Sequence, residues 1–252
     1  PQDLAFSRGY FPYDEMTEAK IRRAMAYYYA TISQIDHHVG RLVALLRDKN
    51  LYDDTLILYN SDHGDYMGYH HLLLKGNHMY EPLIRVPLIV KYPGQEQAGS
   101  VCDALVNSID CAPTLLQSAG CAVPRHMAGA NLLDLPEREF IFAESGNGHS
   151  YMVRSRRYKL LWCRDDAHSQ LFDLDKDPCE LHNLYADPSC AQTVSAMKSA
   201  LAQWALFNAP PAIHLDEDAP IVRTANARAH DAGHRQAMHA YFAQQVQKHL
   251  DS

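Results

Sequence analysis

No apolar run in this 252-residue chain reaches the ~18 residues that a membrane-spanning helix needs, so neither a span nor a membrane partner is expected. Long basic blocks are also missing. The formal charge is -7 with both signs mixed along the chain, so nucleic acid is not an expected partner. An anionic substrate must then be attracted locally, by a metal or a few cations. The chain begins Pro1-Gln2-Asp3 without a charged-then-apolar leader, which leaves export open if translation starts upstream. A soluble protein is expected, with the cytoplasm slightly favoured. The six cysteines show no CxxC spacing, and a chain of this length needs no staples, so they are expected to be buried free thiols. Internal repeats are absent.

What is present is an ordinary globular composition, 47% hydrophobic, enough for one large domain or a domain with a small satellite. The chain is organised around residues 55–94. Thr55 to Tyr59 is a short apolar run without a polar face, which suits a strand buried on both sides in a parallel sheet. Ser61-Asp62-His63-Gly64 follows at its carboxyl end, where open α/β sheets bind ligands. Pro87 to Lys91 is the next apolar run.

Upstream, residues 1–16 read as a loop and Thr17 as an N-cap. From there Ile21, Met25, Tyr28, Ile32, Ile35, Val39, Leu42 and Leu46 form one stripe on a long helix, with Asn50 at its C′ position. Downstream, Val101 to Val106 reads as a strand. Ser108 or Asp110 caps a short helix that ends at Gly120, and Cys121 to Pro136 is loop. Glu139 to Glu144 is a strand. Tyr151 to Cys163 and Gln170 to Leu174 read as strands of an antiparallel ribbon around the turn Arg164 to His168. Ser189 caps a helix carrying Val194, Met197, Leu201, Trp204 and Leu206. Residues 208–232 read as a linker, and Gly233 to Leu250 as a terminal amphipathic helix.

The chemistry lies in few side chains. Asp62 offers carboxylate oxygens and His63 an imidazole, a donor pair suited to a divalent cation. By themselves they read equally as a capped Asp-His-Gly turn. Lys75 sits in a loop rich in Gly, His, Tyr and Asn; it reads as a surface lysine or as a fixed ammonium for an oxyanion. His70 and His71 share that loop and are candidates for touching substrate. His37 and His38, beside Asp36 on the long helix, read as surface residues.

The stretch SDHGDYMGYHHLLLKGNHMYEPLIRVPLIVKYPG resembles the sulfatase family of the alkaline-phosphatase-like superfamily. Further segments are similar to that family in the same order: YYYATISQIDHHVGRLVALLRDKNLYDDT, NSIDCAPTLLQSAGC, YMVRSRRYKLLWC and LFDLDKDPCELHNL. The resemblance covers about residues 20–207. It implies an α/β fold: part of a mixed, mostly parallel sheet sandwiched by helices, plus a small C-terminal antiparallel sheet with a helix. It also implies hydrolysis of a sulfate monoester, with one divalent metal, usually Ca2+ with Mn2+ or Zn2+ as alternatives, and a formylglycine nucleophile made from Cys or Ser. Carried over, Asp62 and His63 match the metal pair, Lys75 matches the sulfate-contacting lysine, and His70 is a substrate-binding candidate.

Two family features do not occur in this chain: the two adjacent aspartates at the start of the family's first strand (Asp53-Asp54 falls instead in the segment similar to the stretch before the metal loop), and a Cys/Ser-x-Pro-x-Arg nucleophile motif. Cys111-Ala112-Pro113-Thr114-Leu115 lacks the arginine and follows the Asp62-His63 turn instead of preceding it, so Cys111 is read as packing. Residues 1–136 are therefore expected to be the C-terminal part of a catalytic core, 137–207 a sheet-plus-helix subdomain, and 208–252 a linker and terminal helix. The expected partners are the missing N-terminal half of the fold and, through the terminal helix, a second copy. The alternatives are a phosphonate or phosphate monoester hydrolase of the same superfamily, or a non-catalytic module.

Overall fold

The structure is a computed structural model, and it describes residues 17–125, 127–145 and 150–208. The loop expected over residues 1–16, the linker, and the terminal helix with its oligomer contact lie outside the described residues.

Thr17 caps α1 (Glu18–Asp48): its hydroxyl accepts from the Lys20 amide at 3.3 Å, and Glu18 pairs with Arg22 one turn on at 2.8 Å. The helix ends where Asn50 takes the left-handed conformation (φ 55°), which Asn tolerates at C′. No α1 residue is fully buried. The stripe is half-covered at Ile21, Met25, Tyr28, Val39 and Leu46, while Ile32, Ile35 and Leu42 are exposed.

The two apolar runs become β1 (Ile57–Asn60) and β2 (Leu88–Lys91), with the four-residue helix α2 (Glu81–Ile84) between them. The α/β class holds, but the reading of Thr55 to Tyr59 as a strand buried on both sides in a parallel sheet is corrected here. β1 and β2 pair with each other, antiparallel, Ile57 opposite Lys91 and Asn60 opposite Leu88, and no residue of either is fully buried. A parallel pair needs a crossover that carries the chain back to the same end. The intervening chain instead folds into a loop at one end and re-enters from there.

Val101 to Val106 is not a strand: it forms no ladder with any described residue, and Val101 is exposed. At α3 (Cys111–Ser118) the capping is shared. Asn107 and Asp110 form a reciprocal box around a 3-10 turn, and the Asp110 carboxylate also takes Ala130 N at 2.8 Å and a bidentate Arg138 at 2.6 and 2.8 Å. Gly120 ends this element at φ 70°.

Four antiparallel strands follow in the order β3 (Ile141–Ser145), β4 (Ser150–Arg154), β5 (Tyr158–Cys163) and β6 (Gln170–Asp173). The run 151–163, one unit in the sequence, is two strands folded at Ser155–Arg157. Side chains alternate across this sheet with period two. Met152, Leu161 and Phe172 face a cluster made by Tyr66, Leu72, Met79, Tyr80 and Leu83. Val153, Leu160 and Leu171 face Met197 and Leu201 of α4 (Ala191–Asn208), with Trp204 stacked on Phe142 at 5.1 Å. The sheet thus carries a helix on one face and the loop after β1 on the other. Ser189 is not the cap expected for α4: Asp187 accepts from the Ser189 amide at 2.9 Å, opening a 3-10 turn ahead of the helix.

The cysteines are free, as expected, but not buried. Cys102, Cys121 and Cys179 are exposed, and Cys111, Cys163 and Cys190 are half-buried. They sit in loops and at element ends, where the core does not reach. Cys111 does pack, its sulfur 3.7 Å from the Asn60 amide at the end of β1.

Candidate functional site

Asp62 and His63 leave β1 on a turn pinned by Gly64. The Gly64 amide donates to Leu83 O at 2.7 Å, and a Cβ on Gly64 would lie 2.0 Å from the Pro82 carbonyl oxygen. Only glycine lets the turn come this close to α2. Asp62 projects outward, its side chain 85% exposed, and one carboxylate oxygen takes the His63 amide at 3.0 Å. His63 Nδ1 lies 3.0 Å from Gly64 O, a carbonyl that can only accept, so the contact calls for a proton on Nδ1 and leaves Nε2 as the ring nitrogen turned to Asp62. That Nε2 stands 3.6 Å from Asp62 Oδ2. Two lone-pair atoms at this separation repel unless a proton or a metal cation lies against them, so the pair fits a divalent ion as two of its ligands. Among the described residues no third His, Cys, Asp or Glu joins them.

The next segment bends unusually often. Met67, His70, His71 and Leu74 all have positive φ, between 49° and 63°, a conformation that costs most residues roughly 1–2 kcal/mol each and must be held by its surroundings. His70, the substrate-binding candidate, turns into the interface with the sheet. It stacks on Tyr80 at 4.4 Å and meets Tyr69 edge-on at 4.4 Å, and its Nε2 is buried with no hydrogen-bond partner. Burial pulls its pKa down, opposed by a hydrogen bond to the Cys179 backbone, so the ring is neutral at pH 7. Lys75 is exposed, with no hydrogen bond or ion pair to any described residue, Asp62 and His63 included. Asp62, His63 and Lys75 therefore share one loop system, while His70 anchors its underside. His37 and His38 lie on the exposed side of α1, as expected.

Sequence reasoning missed the charges that hold this loop down. Lys159, the second residue of β5, has a side chain with no exposure at all; it pairs with Glu81 at 3.2 Å and with Glu180. Arg154, opposite Lys159 on β4, reaches both Glu81 oxygens at 3.1 and 3.3 Å. Glu180 also accepts from the Glu81 amide at 2.8 Å and from the Tyr69 hydroxyl. Burial pushes the Glu81 carboxyl up, but Arg154 and Lys159 outweigh it and hold the acid below the ordinary range. For Glu180 burial wins over Lys159, and its carboxyl is raised. The signal was present in RSRRYKLLWC: two cations brought face to face on the apolar side of a hairpin demand acids from elsewhere.

With this geometry in place, the comparisons are specific. A model of the sulfatase family matches residues 5–121, and a model of the C-terminal region of N-sulphoglucosamine sulphohydrolase matches residues 68–206. An arylsulfatase of Clostridium perfringens is 34% identical over 192 residues, covering 72% of this chain and 40% of that protein. An N-acetylglucosamine-6-O-sulfatase of Bacteroides thetaiotaomicron is 31% identical over 201 residues, covering 73% of this chain and 36% of that protein. Among solved structures, a phosphonate monoester hydrolase of Agrobacterium radiobacter superposes with a TM-score of 0.67 at 27% identity, over 76% of this chain and 43% of that one. The chain thus spans less than half the length of these relatives.

Proposed function

The chain belongs to the sulfatase family of the alkaline-phosphatase-like superfamily, and from that premise we propose that it supplies part of the metal and sulfate site of a sulfuric ester hydrolase. The reaction is attack at sulfur with cleavage of the S–O ester bond; water adds across it, giving the alcohol and hydrogen sulfate. The observation that carries this reading is the Nε2 of His63 facing the Asp62 carboxylate at 3.6 Å, on the loop that leads to Lys75, which is exposed and unpaired among the described residues.

In this reading Asp62 and His63 hold one divalent cation, calcium first, with manganese or zinc as alternatives. When bound, that ion supplies positive charge against the ester's oxygens. Gly64 fixes both ligands to the start of α2. Lys75 donates to a sulfate oxygen and stabilises charge that grows there in the transition state. His70, neutral and wedged under Tyr80, supports the loop from below. The nucleophile comes from outside these 252 residues, because no Cys/Ser-x-Pro-x-Arg segment occurs in them. The N-terminal half of the fold is the partner that brings it, and it covers the exposed stripe of α1.

The test is paired turnover of an aryl sulfate and an aryl phosphonate by the full-length protein that carries this chain. Sulfate ester hydrolysis, lost in Asp62→Ala and reduced about 100-fold in Lys75→Ala, is expected. Preference for the phosphonate selects the second reading, which the similarity to a phosphonate monoester hydrolase favours. Tight metal binding without turnover of either ester selects the non-catalytic module.

A further inference from the structure

Lys75 is solvent-exposed and has no partner among the described residues, so its aim depends on the backbone to either side. One side chain controls that backbone. The Tyr66 amide donates to Leu74 O at 2.8 Å, just before the lysine. Just after it, a Cβ built on Gly76 would meet Cε2 of the Tyr66 ring at 3.4 Å. Farther along, the Tyr66 hydroxyl donates to His78 O at 2.6 Å and accepts from His78 N at 3.0 Å. Leu74 is one of the left-handed residues that need external support. Tyr66 itself is 3% exposed, packed with Leu72, Met79, Met152 and Phe172 against the sheet. Burial raises its phenol pKa, so the proton that bonds His78 O stays in place. The same residue lies three positions after His63, on the backbone that Gly64 ties to α2.

We propose that Tyr66 is a positioning residue of the sulfate site: it fixes where the Lys75 ammonium stands relative to the Asp62–His63 turn. The inference rests on the function proposed above. The ring supplies the packing and the hydroxyl the register, since one oxygen closes a two-way hydrogen bond on the far side of the lysine. Loss of that oxygen leaves the cluster filled but lets residues 74–78 shift. A displacement of about 1 Å at a reacting group costs up to roughly 100-fold in rate.

The experiment is a double-mutant cycle of Tyr66→Phe and Lys75→Ala in the full-length protein, read as kcat/KM on an aryl sulfate and, in parallel, as Kd for inorganic sulfate. Tyr66→Phe alone is expected to lower kcat/KM at least about tenfold, and less than about twofold once Lys75 is alanine. Equal losses in the two backgrounds, or no loss in either, overturn the inference while leaving the sulfatase reading intact. If Tyr66→Phe does not fold, Gly76→Val adds methyl groups beyond a Cβ that already lies in contact with the Tyr66 ring and hydroxyl at 3.4 and 3.5 Å; it crowds the same side chain and is expected to show the same dependence on Lys75. A wild-type protein that neither turns over the ester nor binds sulfate overturns the proposed function, and this inference with it.

Discussion

Lys159 and Glu81 form an ion pair at 3.2 Å between the middle of the C-terminal sheet and the first residue of α2. Through it, the turn that carries Asp62 and the loop that carries Lys75 are fastened to a sheet whose residues lie far along the chain. Among the described residues, Lys159 is the one cation paired with both Glu81 and Glu180, and Glu180 is wholly buried.

Replacing Lys159 by Met should therefore cost about 3–5 kcal/mol at pH 7, the usual penalty for stranding buried charge. The loss should shrink as pH falls. Glu180 already has a raised carboxyl, and without Lys159 it is raised further. A raised carboxyl destabilises the fold fully above its folded pKa, less as pH falls through the window below it, and not at all below the unfolded value of about 4.3. Urea unfolding of both proteins at pH 7 and pH 5 measures this. A loss that is constant or larger at pH 5 contradicts it.

Asp110 behaves with the opposite sign. Burial raises its carboxyl, but Arg138 and the Ala130 and Asn107 amides outweigh that and hold it below the ordinary range. Its stabilisation is present above the unfolded pKa of about 3.9 and is lost as pH falls through the folded value. Asp110→Asn should destabilise by about 3 kcal/mol at pH 7. The gap to wild type should close progressively below about pH 4. Thermal unfolding across that range decides it.

Metal addition should separate Asp62 from the fold. The Asp62 side chain is largely exposed, so Asp62→Ala should change stability without metal by no more than about 0.5–1 kcal/mol. Calcium at 100 times its Kd should stabilise the wild-type full-length protein by about 2.7 kcal/mol. Asp62→Ala and His63→Ala should lose most of that gain. Scanning calorimetry with calcium and with chelator reads both numbers; equal stabilisation of all three proteins removes these residues from the metal site.

Much of this was legible because it is local. The stripe of α1, its Thr17 cap and Asn50 terminus follow from the 3.6-residue period and from short-range hydrogen bonds. Alternation gave the C-terminal strands, and the Asp62–His63–Lys75 loop was marked by composition and by its place after β1. What stayed hidden depends on contacts between distant segments. The antiparallel pairing of β1 with β2 depends on where an intervening loop returns the chain, which an apolar run does not encode. Likewise Tyr66, Glu81 and Glu180 acquire roles only when the hairpin of β4 and β5 brings Arg154 and Lys159 beneath them. His70 looked like a surface ligand because its loop is polar; its left-handed backbone turns the ring inward, and no pattern of neighbouring residues announces that.

Gly64 offers the sharpest test of how the turn is built. A methyl group there would fall 2.0 Å from Pro82 O, far inside contact distance, and the oxygen belongs to backbone that cannot rotate away. Gly64→Ala must therefore push the Asp62–His63 turn off α2 and stretch the 2.7 Å bond from its amide to Leu83 O. Overpacking of this kind costs about 1–3 kcal/mol. The displaced turn also moves both metal donors at once, so calcium affinity should fall even though neither ligand has changed. Unfolding free energy and calcium Kd, measured on the same Gly64→Ala sample, should both worsen. A variant as stable as wild type with unaltered calcium affinity would show that the turn does not rest on α2.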